Sequence, residues 1–440
     1  MADLPLVRHD PGALLAHRQK QPIGVGDFLA DVAHLVALLP ARRYAVNLCA
    51  DRYRFAVGFA AALLRGQISL MPPNTTPDLI ERLVRNYPDV YCLSDGSEEH
   101  SGLETIDCLP SGERRATSAA IPAVPAERIA AIVFTSGSTG DQLPHPKSWG
   151  ALVASAIAEI ERLGIAALPG MAILGTVPPQ HMYGLESTVL MALQGGLALH
   201  AGRPFFPADI CAALETLPRP RGLVTTPVHL RAVLAEGTGL PAVDFLLCAT
   251  APLSPQLAAQ AEARFAAPLH EIYGCTEAGQ LATRRTTETP EWQLYPGFAM
   301  RQDEKGTWVI GGHARTEFLL SDVIELRGRN RFLLHGRTAD LVNIAGKRTS
   351  LASLNYHLNS IHGVHDGAFV IPQDAQDGVT RLAAFVVAPG LTSEAIMSAL
   401  RQRIDPAFLP RPLCIVDALP RNETGKLPRM AVETLMAKAG

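Results

Sequence analysis

From about residue 20 to residue 270 the chain alternates between short apolar runs ending in Gly, Ser, Thr or Pro and longer stretches with helical periodicity. That alternation constrains the fold more than any other feature. Residues 129–134 (IAAIVF) read as a buried strand. Residues 148–163 read as a helix with Leu152, Ala156, Ile160 and Leu163 on one face. Residues 171–177, 196–199, 222–226 and 245–248 read as further strands, with helices at 207–217 and 255–265 between them. Strands alternating with helices predict an α/β fold of parallel or mixed sheets covered by helices. Ligands then gather at the loops leaving the carboxyl ends of the strands.

The remainder of the chain is patterned differently. Residues 292–295, 307–310, 318–320, 323–326 and 332–334 are short apolar runs separated by Gly, Asn and charges, which predicts a small antiparallel β meander. After His335-Gly336-Arg337 come a helix (351–361), two strands (367–371 and 381–387), a helix (393–404), a strand near 414–416 and a last helix. About 100 residues are enough for an independent α+β unit. The reading is a large N-terminal domain, residues 1–336, and a small C-terminal domain, residues 337–440, that turns about a hinge near 336–340. A chain of 440 residues fits this division.

Composition narrows the function classes. With 48% apolar and only 18% charged residues, the chain has ample surface to bury, which excludes a disordered segment. A net charge of −3 without a basic stretch argues against a nucleic-acid binder. The 7 cysteines include no CxxC pair, so neither a disulfide framework nor a zinc site is expected. No apolar run approaches the roughly 20 residues of a membrane span. The opening MADLPLVRHD lacks the basic-then-apolar pattern of a secretory signal. A soluble, cytoplasmic protein is the expectation.

The sharpest local signal is Thr135-Ser136-Gly137-Ser138-Thr139-Gly140, which follows a strand and precedes a helix. Two glycines let the backbone approach a ligand closely, and four hydroxyls add donors, as a phosphate-binding loop requires. It is not a GxxxxGK[ST] loop, because no Gly-Lys pair follows at that spacing, so a P-loop phosphotransferase is disfavoured.

Four further segments follow in order: Tyr273-Gly274-Cys275-Thr276-Glu277; Leu320-Ser321-Asp322; Gly336-Arg337 with Gly346-Lys347-Arg348 downstream; and the run from Leu419 to Lys426 (LPRNETGK). In this order and at these separations they resemble the ATP-dependent adenylate-forming enzymes: acyl- and aryl-CoA synthetases, adenylation domains of peptide synthetases, and luciferases. The resemblance covers residues 128 to 430. It implies that a carboxylate is joined to the α-phosphate of ATP with release of pyrophosphate, and that a thiol then takes the acyl group as AMP leaves. Two anions must meet, so their charge must be neutralised and the attacking oxygen held in line.

Role by role, the resemblance implies the following. Thr135, Ser136, Gly137, Ser138, Thr139 and Gly140 wrap the β- and γ-phosphates. Lys147 adds charge there, or stands as a solvated surface lysine. Thr276 hydrogen-bonds the α-phosphate beside Gly274, Glu277 holds Mg²⁺, and Tyr273 lies near the adenine. Asp322 accepts the ribose hydroxyls and Arg337 also reaches the ribose. Lys426 bridges the carboxylate and the α-phosphate in the transition state. His181, within PPQHMYG, stands near the substrate carboxylate. Thr225, Thr226, His229 and Ala251 are walls of the acyl pocket. Gly346 and Lys347 line the thiol tunnel once the small domain has rotated. Cys275 reads as a packing residue, not a nucleophile. Three departures stand out. Ala339 precedes Asp340 where the family often carries two acids, a longer segment follows Gly140, and the large domain is short.

Residues 144–152 (PHPKSWGAL), 340–355 (DLVNIAGKRTSLASLN) and 405–429 (DPAFLPRPLCIVDALPRNETGKLPR) resemble a short subgroup that accompanies aryl polyene and xanthomonadin-type pigment clusters. This implies a small aryl acid such as a hydroxybenzoate as substrate, and the phosphopantetheine arm of an acyl carrier protein as acceptor in place of free coenzyme A. The alternatives are a medium-chain fatty acyl-CoA or acyl-carrier-protein synthetase and, from another class, a nucleotide-binding regulatory protein without turnover.

Overall fold

The computed structural model describes residues 2–439 except 19–20, 73–75, 97–101, 109–119, 135–142, 238, 315, 338–340, 345–346, 372–380, 423–426 and 428. Two large sheets dominate. The first has six strands in the order Pro144–Ser148, Ile129–Phe134, Ile68–Met71, Tyr44–Asn47, Val90–Ser94, Thr105–Asp107. All are parallel except Pro144–Ser148, which pairs antiparallel at the edge. The second has eleven strands. Its centre is parallel and runs Leu269–Cys275, Phe245–Cys248, Arg221–Thr225, Ala172–Gly175, Ala198–His200, Leu14–Arg18. Antiparallel strands extend both sides.

The helix Arg52–Leu64 packs against strands of both sheets. Tyr53, Phe55 and Phe59 are buried there, and small residues (Ala56, Ala60, Ala61, Ala62) let the backbone come close. The expected helix begins at Trp149 because Ser148 caps it, its Oγ accepting from the Ala151 amide at 3.3 Å. Trp149, Leu152, Val153 and Ala156 form its buried face.

Two expectations are corrected. The segment following the Gly/Ser-rich loop is not directly a helix. The Pro144–Ser148 strand comes first, with Pro144 opposite Phe134. Two prolines concealed it, yet an edge strand tolerates missing amide donors. The antiparallel region is not one meander. Phe298–Asp303, Gly306–Gly311 and Phe318–Leu319 form a sheet of their own. Trp292–Leu294, Asp322–Leu326 and Arg331–Arg337 instead extend the eleven-stranded sheet. Both sets pack on one core, in which Trp292, Ile324 and Phe332 meet Tyr273 and Leu281 as well as Phe298 and Val309.

The C-terminal α/β unit holds the hairpin Leu341–Ile344/Lys347–Ser350, the three-stranded sheet Asp366–Val370, Ala383–Val387, Leu413–Ile415, and helices Leu351–Asn359, Ser393–Arg401 and Arg429–Ala439. Leu354, Leu358, Phe369, Val386, Ile396 and Leu400 form a core separate from those of the large sheets. Among the described residues no helix is long and apolar enough to cross a membrane.

Candidate active site

The parallel strands of the eleven-stranded sheet end side by side. Thr176, Thr225–Thr226, Ala249–Ala251 and the segment from Gly274 onward leave their carboxyl ends, the edge where such sheets bind ligands. Leu269–Cys275 and Gly279–Arg284 form a hairpin whose turn is Thr276-Glu277-Ala278, closed by Gly279 at φ 94°. A side chain at Gly274 would place its Cβ 2.5 Å from the Gly279 carbonyl oxygen, so only glycine fits the crossing. Glu277 is exposed at the tip.

Lys147 underpins this turn. Of its two expected alternatives, the structure corrects the solvated surface lysine. The side chain is 5% exposed, and Nζ donates to the Glu277 carbonyl oxygen at 2.6 Å. Burial lowers the ammonium pKa, against which the nearby Glu186 carboxylate acts. Glu186 accepts from Ser155 Oγ at 2.7 Å and is raised by burial to about 7. Beside it Glu159 is raised to about 8, also by burial, and accepts from Gln280 Nε2 at 3.0 Å. The Tyr295 hydroxyl donates to Gln280 Oε1 at 2.9 Å and completes this buried network. No sequence motif marked either glutamate; their burial emerges only in the fold.

Asp322 meets the hairpin from the other side. Its Oδ2 accepts from the Tyr273 hydroxyl at 2.8 Å, and on the antiparallel ladder its partner is Arg337, of which the backbone alone is described. The Tyr273 ring packs against Trp292 and Phe332 at 5.7 and 5.6 Å between centroids, so much of its surface faces the core.

His181 caps the helix that begins at Met182, its Nδ1 accepting from the Tyr183 amide at 3.2 Å. Tyr183 turns inward, and its hydroxyl donates to the carbonyls of Thr225 at 3.1 Å and Leu247 at 3.0 Å. Arg52, missed in the sequence, is wholly buried and ties this helix to the strand exit. It donates to Thr188 Oγ1 at 2.8 Å and to the carbonyls of Gly175 at 2.8 Å and Val177 at 2.9 Å. Burial lowers its pKa to about 9, so it stays charged at neutral pH.

The pocket candidates converge. Thr176 Oγ1 lies 3.0 Å from Thr225 Oγ1, and His229 Nδ1 lies 2.9 Å from Thr226 Oγ1 and 3.3 Å from Thr176 Oγ1. His229 Nε2 is buried without a hydrogen-bond partner among the described residues, and the Phe205 ring stands edge-on 5.1 Å away. Burial lowers the imidazole pKa to about 4, with Arg203 adding to the effect, so the ring is neutral at pH 7. Ala251 follows Thr250, whose φ of 82° is rare outside glycine and puts backbone strain at this strand exit.

Other candidates stand apart. Lys347 is paired with Asp405 within the C-terminal unit. Burial pushes the Cys275 thiol up, in keeping with a packing residue. Thr135, Ser136, Gly137, Ser138, Thr139, Gly140, Gly346 and Lys426 lie outside the described residues.

Comparison with known proteins follows the same lines. Residues 55–304 match the family model described as AMP-binding enzyme, and residues 358–426 match its C-terminal domain. The 4-coumarate–CoA ligase of Rhodobacter capsulatus is 29% identical over 68% of this chain and 75% of its own. The 3-hydroxybenzoate–CoA/4-hydroxybenzoate–CoA ligase of Thauera aromatica is 24% identical over 69% of this chain and 66% of its own. Among solved structures, O-succinylbenzoate coenzyme A synthetase from Bacillus subtilis, in complex with ATP and magnesium ion, superposes with a TM-score of 0.80. It covers 98% of this chain and 100% of its own at 17% identity.

Proposed function

The chain belongs to the AMP-binding enzymes of the adenylate-forming superfamily, and from that premise we propose that it activates a small aryl acid, such as a hydroxybenzoate, with ATP and passes the acyl group to the phosphopantetheine thiol of an acyl carrier protein. The reaction class, AMP-forming acid–thiol ligation with an acyl or aryl acid, is that of its relatives. The pigment-type role, the carrier protein and a cytoplasmic location are our reading.

The observation that carries the proposal is the convergence of Tyr273–Glu277, Asp322 and Lys147 at one sheet edge. Asp322, oriented by the Tyr273 hydroxyl, offers a carboxylate to ribose hydroxyls. Thr276 hydrogen-bonds the α-phosphate from the hairpin turn, and residues 135–140 wrap the outer phosphates. Magnesium takes one or two carboxylates together with phosphate oxygens and water. The exposed Glu277 carboxylate, on a turn pinned from beneath by Lys147, fits that pattern. When bound, the ion supplies positive charge against the phosphates. Lys426 neutralises the carboxylate and α-phosphate as they meet, a kind of contribution worth about 3 kcal/mol or more. Residues 337–440 carry this lysine and rotate to admit the thiol.

An aryl acid is favoured over a fatty chain by the floor of hydroxyls and imidazole around Thr176, Thr225, Thr226 and His229, which suits a ring hydroxyl better than methylenes. The test is carboxylate-dependent ATP–pyrophosphate exchange across hydroxybenzoates and medium- and long-chain fatty acids. Hydroxybenzoates should drive exchange best, and a preference for fatty acids would overturn the substrate assignment. A gel shift of a holo carrier protein, run against acylation of free coenzyme A, identifies the acceptor. Lys426→Ala should abolish exchange while leaving the melting temperature unchanged.

A further inference from the structure

Asp366 opens the Asp366–Val370 strand of the C-terminal unit, and its carboxylate holds two guanidinium groups from distant parts of the chain. Arg421 binds it in bidentate fashion, Nε to Oδ2 at 2.7 Å and Nη2 to Oδ1 at 2.9 Å. Arg231 reaches it from the Pro227–Ala235 helix of the large sheet region, Nη1 to Oδ1 at 3.2 Å. The Gly367 amide also donates to Oδ1 at 2.8 Å. All three charged side chains are largely buried, between 17% and 20% exposed.

The location matters more than the pairing. Arg231 is next but one to His229, on the helix whose start lines the proposed acyl pocket. Arg421 precedes Lys426 in the same C-terminal segment. Asp366 is therefore the link between the element that holds the acid and the segment that carries the lysine. The two contacts differ in strength. The bidentate pair to Arg421 lies within the C-terminal unit, where fork-to-fork geometry is strong. The single, longer bond to Arg231 crosses between units and is the one suited to break. Losing the carboxylate would leave two part-buried cations facing each other.

We propose that Asp366 is a positioning residue for acid activation: through Arg231 it locks the C-terminal unit against the acyl-pocket helix during the first half-reaction, and this contact is released before thiol transfer. The inference rests on the ligase reading above. Arg231 and Asp366 touch no reacting atom, so their effect falls on one half-reaction and on kcat.

The test separates the half-reactions in the full-length protein with Arg231→Met and Asp366→Asn. ATP–pyrophosphate exchange should fall roughly tenfold in kcat with little change in the KM for ATP. Transfer from a supplied aryl-adenylate to pantetheine should proceed at the wild-type rate. Hydrogen exchange should quicken in both residues 227–235 and residues 366–370. An equal fall in both half-reactions, or unchanged pyrophosphate exchange, overturns the proposal. If the wild-type protein activates no acid, the ligase reading fails by itself. Hydrogen exchange then decides the lock alone, and unchanged exchange rates in the variants overturn it.

Discussion

The Tyr273 hydroxyl lies 2.8 Å from Oδ2 of Asp322 and ties together two segments 49 residues apart. The bond orients the Asp322 carboxylate, at the start of a paired strand, toward the hairpin that carries Thr276 and Glu277. With the ring packed against Trp292 and Phe332, the hydroxyl has a defined place, so the geometry of the proposed nucleotide site is set by an aromatic core beneath it.

Tyr273→Phe keeps that packing and removes the hydroxyl alone. A hydrogen bond to a charged group contributes about 1.5 kcal/mol or more. The KM for ATP should therefore rise roughly tenfold, with the KM for the acid and the melting temperature near wild type. Steady-state kinetics with each substrate varied in turn decide the matter, and an unchanged KM for ATP would mean that Asp322 needs no partner to meet the ribose.

Lys147→Met should act on both stability and metal use. The variant removes a buried ammonium, leaving the Glu277 carbonyl without its charged donor and Glu186 without a nearby positive charge. A hydrogen bond from a charged group contributes about 1.5 kcal/mol or more, so the melting temperature should drop clearly. The magnesium concentration for half-maximal exchange should rise as well, because the turn under Glu277 loosens. A stable variant with normal magnesium dependence would reduce Lys147 to filler.

His229→Ala should change which acid is chosen and not how ATP is bound. A site that hydrogen-bonds a substrate hydroxyl rejects the analogue lacking it. Relative to unsubstituted benzoate, exchange with the favoured hydroxybenzoate should fall roughly tenfold, while the KM for ATP stays constant. Uniform loss across all acids would assign His229 to packing.

Much of the frame was legible in the sequence. Residues 129–134, 245–248 and 255–265 are elements at the expected boundaries, because each apolar run is bounded by turn residues or by Pro at the first helical position. Tyr273, Asp322 and Glu277 were visible as motifs, and the structure brings them to one edge. What stayed hidden depends on tertiary contact. Pro144–Ser148 is a strand only because Ile129–Phe134 offers it an edge. Arg52 satisfies backbone carbonyls that a sequence does not place near it, and Asp366 acquires meaning only when Arg231 and Arg421 arrive.

The buried acids make the last prediction. Glu159 is fully buried, and burial raises its pKa from 4.5 to about 8 in the folded protein. The folded state thus keeps a proton that the unfolded chain gives up near its ordinary value. The stabilisation is fully present below about pH 4.5 and is lost as pH rises through about 8. Glu186, raised to about 7, lies close enough that ionisation of one disfavours ionisation of the other. Glu159→Gln has the same shape, accepts from Gln280 through its amide oxygen, and does not titrate. Its melting temperature should therefore fall less than that of the wild type across that interval. Thermal melts of the two proteins over this range measure the difference, which cancels the other titrating groups common to both. Parallel curves would mean that Glu159 is ionised in the folded protein at neutral pH.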